Sequence, residues 1–183
     1  MQSLQSLRAL AAPCLAATAL LATAASAFGH DSHNRIDARL RGYDETPVAI
    51  STAAKGHFSA QYDRASGTIA YDLSYQDLEG EVRQAHIHFG RRGVSGGIMV
   101  WLCQTTANPA PAAVAKDVPV CPASGQVSGM ITSNSVIGPA AQGIDPTEFD
   151  EFVKAIRNGA GYVNVHSSKY GSGEIRGQLG RDD

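Results

Sequence analysis

The apolar positions of this chain alternate with polar ones over short stretches, and glycines break the alternation at close intervals. Ile36 to Leu40 alternates and stops at Gly42. Phe58, Ala60 and Tyr62 fall on one face of the next segment. Asp63 to Gly67 reads as a turn, and Thr68 to Tyr75 continues as a strand, so the two segments form a hairpin. Val82 to Phe89, Ile98 to Leu102, Gln126 to Thr132, Tyr162 to Ser167 and Glu174 to Leu179 complete a set of short strands. This pattern predicts an all-β protein, an immunoglobulin-like or Greek-key antiparallel β-sandwich or barrel. One segment departs from the period of two. Phe149, Phe152, Val153 and Ile156 recur at helical spacing. Asp145-Pro-Thr-Glu148 before them predicts an N-cap and capping box, and Gly159 a stop. The helix is expected to pack on the core just ahead of the strand that ends in His166.

The first 27 residues form a different pattern. Arg8 is followed by an Ala- and Leu-rich run and by Ala25-Ser26-Ala27, which together read as a cleaved secretory signal peptide. The run is too short and too rich in alanine to span a membrane, and no other stretch approaches the ~20 apolar residues that spanning requires. Residues 28–34 read as a mobile N-terminal tail, and residues 35–183 as a single domain.

Composition adds exclusions. The formal net charge is −2. There is no basic run interleaved with aromatics, so nucleic acid is not an expected partner. No phosphate loop, nucleophile elbow or placeable carboxylate pair is present. Cys14 leaves with the signal peptide. The remaining pair, Cys103 and Cys121, is expected to form a disulfide in an exported protein, at the base of an Ala- and Pro-rich excursion over residues 105–122. A thiolate metal pair is the alternative, without a matching CxxC spacing.

The chemistry-bearing residues are histidines. His86 and His88 stand at i and i+2, on the same face of one strand, while Ala85, Ile87 and Phe89 take the other. Tyr162, Asn164 and His166 share a face of a later strand. If the two strands are neighbours, three imidazoles converge, a donor set that suits copper or, alternatively, zinc with a water. A metal ~2.0–2.1 Å from each nitrogen needs the three nitrogens within about 4 Å of one another. Asn164, Tyr162 and Glu174 are candidates to hydrogen-bond and orient the rings. His57 and His30 are weaker candidate ligands: His57 for facing away from the core, His30 because its role depends on cleavage after Ala27. Arg176 is either an attractor for a small anion such as superoxide or the ion-pair partner of Glu174. Arg91 and Arg92 offer similar attraction from a loop, and Asp44 and Glu45 read as turn residues before Pro47. The competing reading leaves all these histidines in an ordinary polar interior or in solvent.

Five stretches in this order carry a family resemblance: Leu-Arg-Gly-Tyr-Asp-Glu-Thr-Pro47, Ala-His-Ile-His-Phe-Gly90, the Phe-x-x-Phe helix, Gly-Tyr-Val-Asn-Val-His166 and Gly-Glu-Ile-Arg-Gly-Gln-Leu179. Together they resemble the CHRD domain, a module named after chordin and also found in secreted bacterial proteins. The resemblance implies an immunoglobulin-like sandwich and says little about activity. His-Ile-His-Phe-Gly with the late Val-His166 is also distantly similar to the copper strands of copper–zinc superoxide dismutases. That likeness implies His86, His88 and His166 as copper ligands. It supplies no zinc site, because no histidine lies between His88 and His166. Two functions follow as expectations: an exported copper-binding protein with superoxide dismutase-like activity, or a non-catalytic extracellular module that binds a protein or matrix partner.

Overall fold

The computed structural model describes residues 34–123 and 125–180. The expected signal peptide over 1–27, with Cys14, and the expected tail up to residue 33, with His30, lie outside them. Eight strands were found: β1 (Arg35–Arg41), β2 (Lys55–Asp63), β3 (Thr68–Gln76), β4 (Val82–Phe89), β5 (Ile98–Cys103), β6 (Gly125–Ile131), β7 (Gly161–Ser167) and β8 (Ile175–Gln178). Among the described residues one α-helix, α1 (Phe149–Arg157), precedes β7.

All strand pairs are antiparallel and form one ladder in the order β5-β4-β7-β8-β1-β2-β3-β6. The sheet curls until its two edges, β5 and β6, approach. Tyr71 of β3 helps to close it, donating its hydroxyl to the Leu102 carbonyl of β5 at 2.6 Å. The closure needs space for the ring. Gly129 lies opposite Tyr71 in the ladder, and a Cβ there would stand 2.6 Å from the Tyr71 hydroxyl oxygen.

The alternation read in the sequence sorts the residues as expected. Leu40, Phe58, Ile69, Leu73, Ile87, Leu102, Val163, Val165 and Ile175 are buried in one core. The helical stripe joins it: Phe149, Phe152, Val153 and Ile156 are all buried, with Phe149 against Tyr62 at 5.9 Å between ring centroids. Gly159 ends the helix at φ +64.

The start of the helix differs from the expectation. Glu148 does reach back to accept the Asp145 amide at 2.8 Å. Thr147, however, takes φ 72, outside the right-handed helical region, and its amide bonds the Val136 carbonyl at 2.9 Å. Residues 145–148 therefore form a turn, and the helix begins at Phe149 with Glu148 as the flanking residue.

Cys103 and Cys121 are joined as a disulfide. The Gln104 side chain organises the enclosed excursion, donating to the carbonyls of Ala115 and Val118 and accepting from the Ala110 amide. Among the described residues no helix is long and apolar enough to cross a membrane.

Candidate metal centre

β4 and β7 are hydrogen-bonded neighbours, with His86 opposite Asn164, His88 opposite Tyr162 and Gln84 opposite His166. Period-two alternation then does the rest. Ala85, Ile87, Val163 and Val165 face the core, and His86, His88, Tyr162, Asn164 and His166 share the outer face. That face is closed to water: relative exposure is 1 % for His86, 9 % for His88 and 6 % for His166. Against it lie the Gly96 and Gly171 carbonyls of the loops after β4 and β7 and the Trp101 ring of β5.

The three histidines offer ring nitrogens that all lie within 4.8 Å of one another. With bonds of ~2.0–2.1 Å, two ligands of one metal are at most about 4.2 Å apart. The set is wider than the about 4 Å expected from the sequence: the widest pair must close by at least about 0.6 Å, and by more than about 1 Å for a trigonal or tetrahedral site.

Hydrogen bonds define which nitrogens face inward. His88 Nδ1 lies 2.9 Å from the Gly96 carbonyl, and His166 Nδ1 lies 3.0 Å from the Gly171 carbonyl. A carbonyl only accepts, so each Nδ1 carries the hydrogen, and in the neutral ring Nε2 is a bare lone pair. His86 Nδ1 is 3.2 Å from His166 Nε2. His86 Nε2 and His88 Nε2 are buried without any hydrogen-bond partner.

Burial holds the rings neutral. Desolvation, with smaller contributions from His166 and His88, pushes the His86 pKa down to about 2. Desolvation lowers His88 to about 4 against the opposing Gly96 hydrogen bond, and it lowers His166 as well. Neutral imidazole is the form that binds metals.

Aromatic packing fixes the rings. Tyr162 stacks on His88 at 4.8 Å between centroids and 6° between planes, and its hydroxyl accepts the Gly96 amide at 3.2 Å. Trp101 meets His86 edge-on at 4.3 Å. Asn164 Oδ1 lies 3.1 Å from His166 Nε2.

Other residues singled out in the sequence stand elsewhere. The carboxylate of Glu174 accepts the Thr52 hydroxyl at 2.9 Å and the Glu79 amide at 2.8 Å, and no hydrogen bond joins it to the histidines. Arg176 is 2 % exposed and makes no ion pair with Glu174. Its guanidinium lies 3.4 Å over the Tyr162 ring and donates to the Arg91 and Val94 carbonyls at 3.1 and 2.9 Å. It clamps the loop over the rings and is not displayed to solvent. His57 is half-exposed, 3.6 Å from Asp37 across the outer face of β2, and is not in the cluster.

Two residues of the site escaped the sequence reading, Trp101 against His86 and Glu45. Glu45, expected in a turn, is 7 % exposed. Burial raises its pKa to about 7, against the lowering effects of the Thr46 amide, Arg176 and Asn164. Its Oε1 has no hydrogen-bond partner. The only sequence signal for it was its place in the Leu-Arg-Gly-Tyr-Asp-Glu-Thr-Pro stretch.

Residues 36–179 match the family model of the CHRD domain. The chain belongs to the CHRD-domain family. Four of the five stretches that carried the resemblance contribute to this outer face of the CHRD domain: Glu45 comes from the first, His86 and His88 from the second, His166 from the fourth and Arg176 from the fifth. No curated protein and no solved structure matches the chain.

Proposed function

We propose that this CHRD-domain protein is an exported metal-binding protein that holds copper between His86, His88 and His166. The single observation that carries the reading is the forced tautomer. Gly96 and Gly171 take the Nδ1 hydrogens, so the Nε2 atoms of His88 and His166 are lone pairs; that of His88 is buried without a donor, and that of His166 has only His86 Nδ1 to donate to it. A buried acceptor without a donor costs about 1–3 kcal/mol. A cation among these nitrogens removes that cost.

Copper is favoured over zinc by the divalent affinity order, and three imidazoles accept both of its oxidation states. Bound copper would supply a one-electron couple. Zinc with a water as fourth ligand is the alternative. Export is supported by the signal-peptide pattern of residues 1–27 and by the Cys103–Cys121 disulfide.

Superoxide dismutation is less well served by this geometry than metal retention. The histidines are enclosed, and clefts of about 540 and 760 Å³ elsewhere on the molecule do not include them. Arg176 is spent on two carbonyls. These features support retention of a metal over rapid traffic of an anion. A second reading, an extracellular protein-binding module, draws support from exposed Tyr43, Val48 and Val94 on the loops around the site and from Val120 on the disulfide-bounded excursion.

Elemental analysis of the protein purified from the periplasm tests the proposal. About one copper per chain is expected, lost in the His86→Ala/His88→Ala double variant. Wild-type protein without stoichiometric copper or zinc sinks it and leaves the module. A dismutation rate no higher than that of free copper ions limits the function to metal binding.

A further inference from the structure

We infer that Asn164 is a fourth donor to the cation, through Oδ1, and that Glu45 is the positioning residue that keeps this oxygen turned inward. The inference rests on the metal site proposed above and assigns it a nitrogen-and-oxygen donor set in place of three nitrogens alone.

Asn164 stands opposite His86 in the ladder, with Oδ1 3.1 Å from His166 Nε2. That nitrogen has no hydrogen, since Nδ1 gives its own to Gly171. An amide oxygen and a bare imidazole nitrogen at this distance present two lone pairs to each other. The arrangement is unfavourable unless a positive charge or a proton lies close by. His86 Nδ1 can give one hydrogen to His166 Nε2, which leaves the Asn164 oxygen unrelieved.

Turning the amide over would remove the conflict by pointing Nδ2 at His166. The other end of the amide opposes the turn. Nδ2 faces a niche beside Gly173 that it shares with Glu45 Oε1: a Cβ on residue 173 would stand 2.8 Å from the Asn164 nitrogen and 2.6 Å from the Glu45 oxygen. Gly173, at φ +131, is the residue type that leaves this niche open. A carboxylate has acceptors only, so an N–H directed toward it is the favourable orientation. Arg176 adds positive charge nearby, but its Nη2 is occupied by the Arg91 and Val94 carbonyls. The Asn164 amide is therefore the group that answers the unpartnered Oε1, and in doing so it turns its own oxygen toward the rings.

An amide oxygen is a harder donor than imidazole, so its contribution should fall on Cu(II) and hardly on Cu(I). The test uses full-length purified protein at pH 8, with copper alone as probe. Cu(II) and Cu(I) affinities are measured by chelator competition, and the Cu(II) signal by electron paramagnetic resonance. N164A is expected to lose about tenfold or more in Cu(II) affinity, with Cu(I) affinity nearly unchanged. N164D returns an inward oxygen and should recover Cu(II) binding and the wild-type spectrum. E45Q should follow N164A, although residue 45 does not touch the ion, because a glutamine amide can donate to Oδ1 and turn Asn164 over.

Wild-type Cu(II) affinity in N164A overturns the oxygen donor and leaves the three histidines standing. Equal loss of both oxidation states in N164A and N164D reduces Asn164 to packing and also overturns it. E45Q at wild-type affinity overturns the role of Glu45. A wild-type chain that takes up no metal sinks the three-histidine site itself, a different result from any of these.

Discussion

The two faces of the β4–β7 pair are equally buried and chemically opposite. Toward the core stand Ala85, Ile87, Val163 and Val165, each 0 % exposed. Toward the loops stand His86, His88, Tyr162, Asn164 and His166, all at 9 % or less. The inner face lowers the free energy of the fold, at about 25 cal/mol per Å² of apolar surface removed from water. The outer face gains less. It buries polar atoms, two of its ring nitrogens have no partner, and burial disfavours the charged form of its rings. A strand pair that only had to be stable would bury apolar residues on both sides. The contrast separates the face that holds the protein together from the face that carries the candidate site.

Substitutions should divide along this line. The largest effect on stability belongs to the inner face: Ile87→Ala is expected to cost about 2–5 kcal/mol in denaturant unfolding, with copper content per folded molecule unchanged. If Ile87→Ala instead strips the metal while barely altering stability, the division fails.

Glu45 should give a pH-dependent difference. Its folded pKa, about 7, lies above its usual 4.5. The contribution to stability is therefore present below pH 4.5 and lost as pH rises through 7. Metal-free Glu45→Gln has no such loss. Relative to wild type it should gain up to about 3 kcal/mol between pH 4.5 and 8.5 in urea titrations. A difference that does not change with pH would mean that the buried carboxyl titrates normally. His86 and His88 carry the opposite sign: their depressed pKa values give stability present above about pH 6.5 and lost as pH falls toward 4 and below.

The smallest effect sharpens the contrast most. His86→Leu in the metal-free protein should cost about 1 kcal/mol, because losing the partnerless Nε2 offsets the altered packing while His166 Nε2 loses its Nδ1 partner. Calorimetry that shows a loss of several kcal/mol would make the histidines structural members of a polar core.

The inner face was readable in the sequence because strand alternation is a property of neighbouring residues. His86 and His88 were readable for the same reason, since i and i+2 share a face whatever the fold. Their union with His166 needed β4 and β7 to be adjacent, which spacing along the chain does not encode. Glu45 was missed because the stretch around it has no periodicity, and its burial arises only from loops that fold back over the sheet. The helix start was misplaced because Asp145-Pro-Thr-Glu148 satisfies a capping pattern, while the Thr147–Val136 hydrogen bond that overrides it joins distant segments.

The carbonyls of Gly96 and Gly171 carry one further consequence. They, and no side chain, decide where the His88 and His166 protons reside. Gly96 has no slack, since a Cβ there would lie 1.7 Å from the Phe89 carbonyl oxygen. Relatives of this protein could therefore keep every histidine and still differ in affinity through a single insertion or deletion in either loop. Aligning the histidines alone would overlook the change; the lengths of the two loops are the trait to compare.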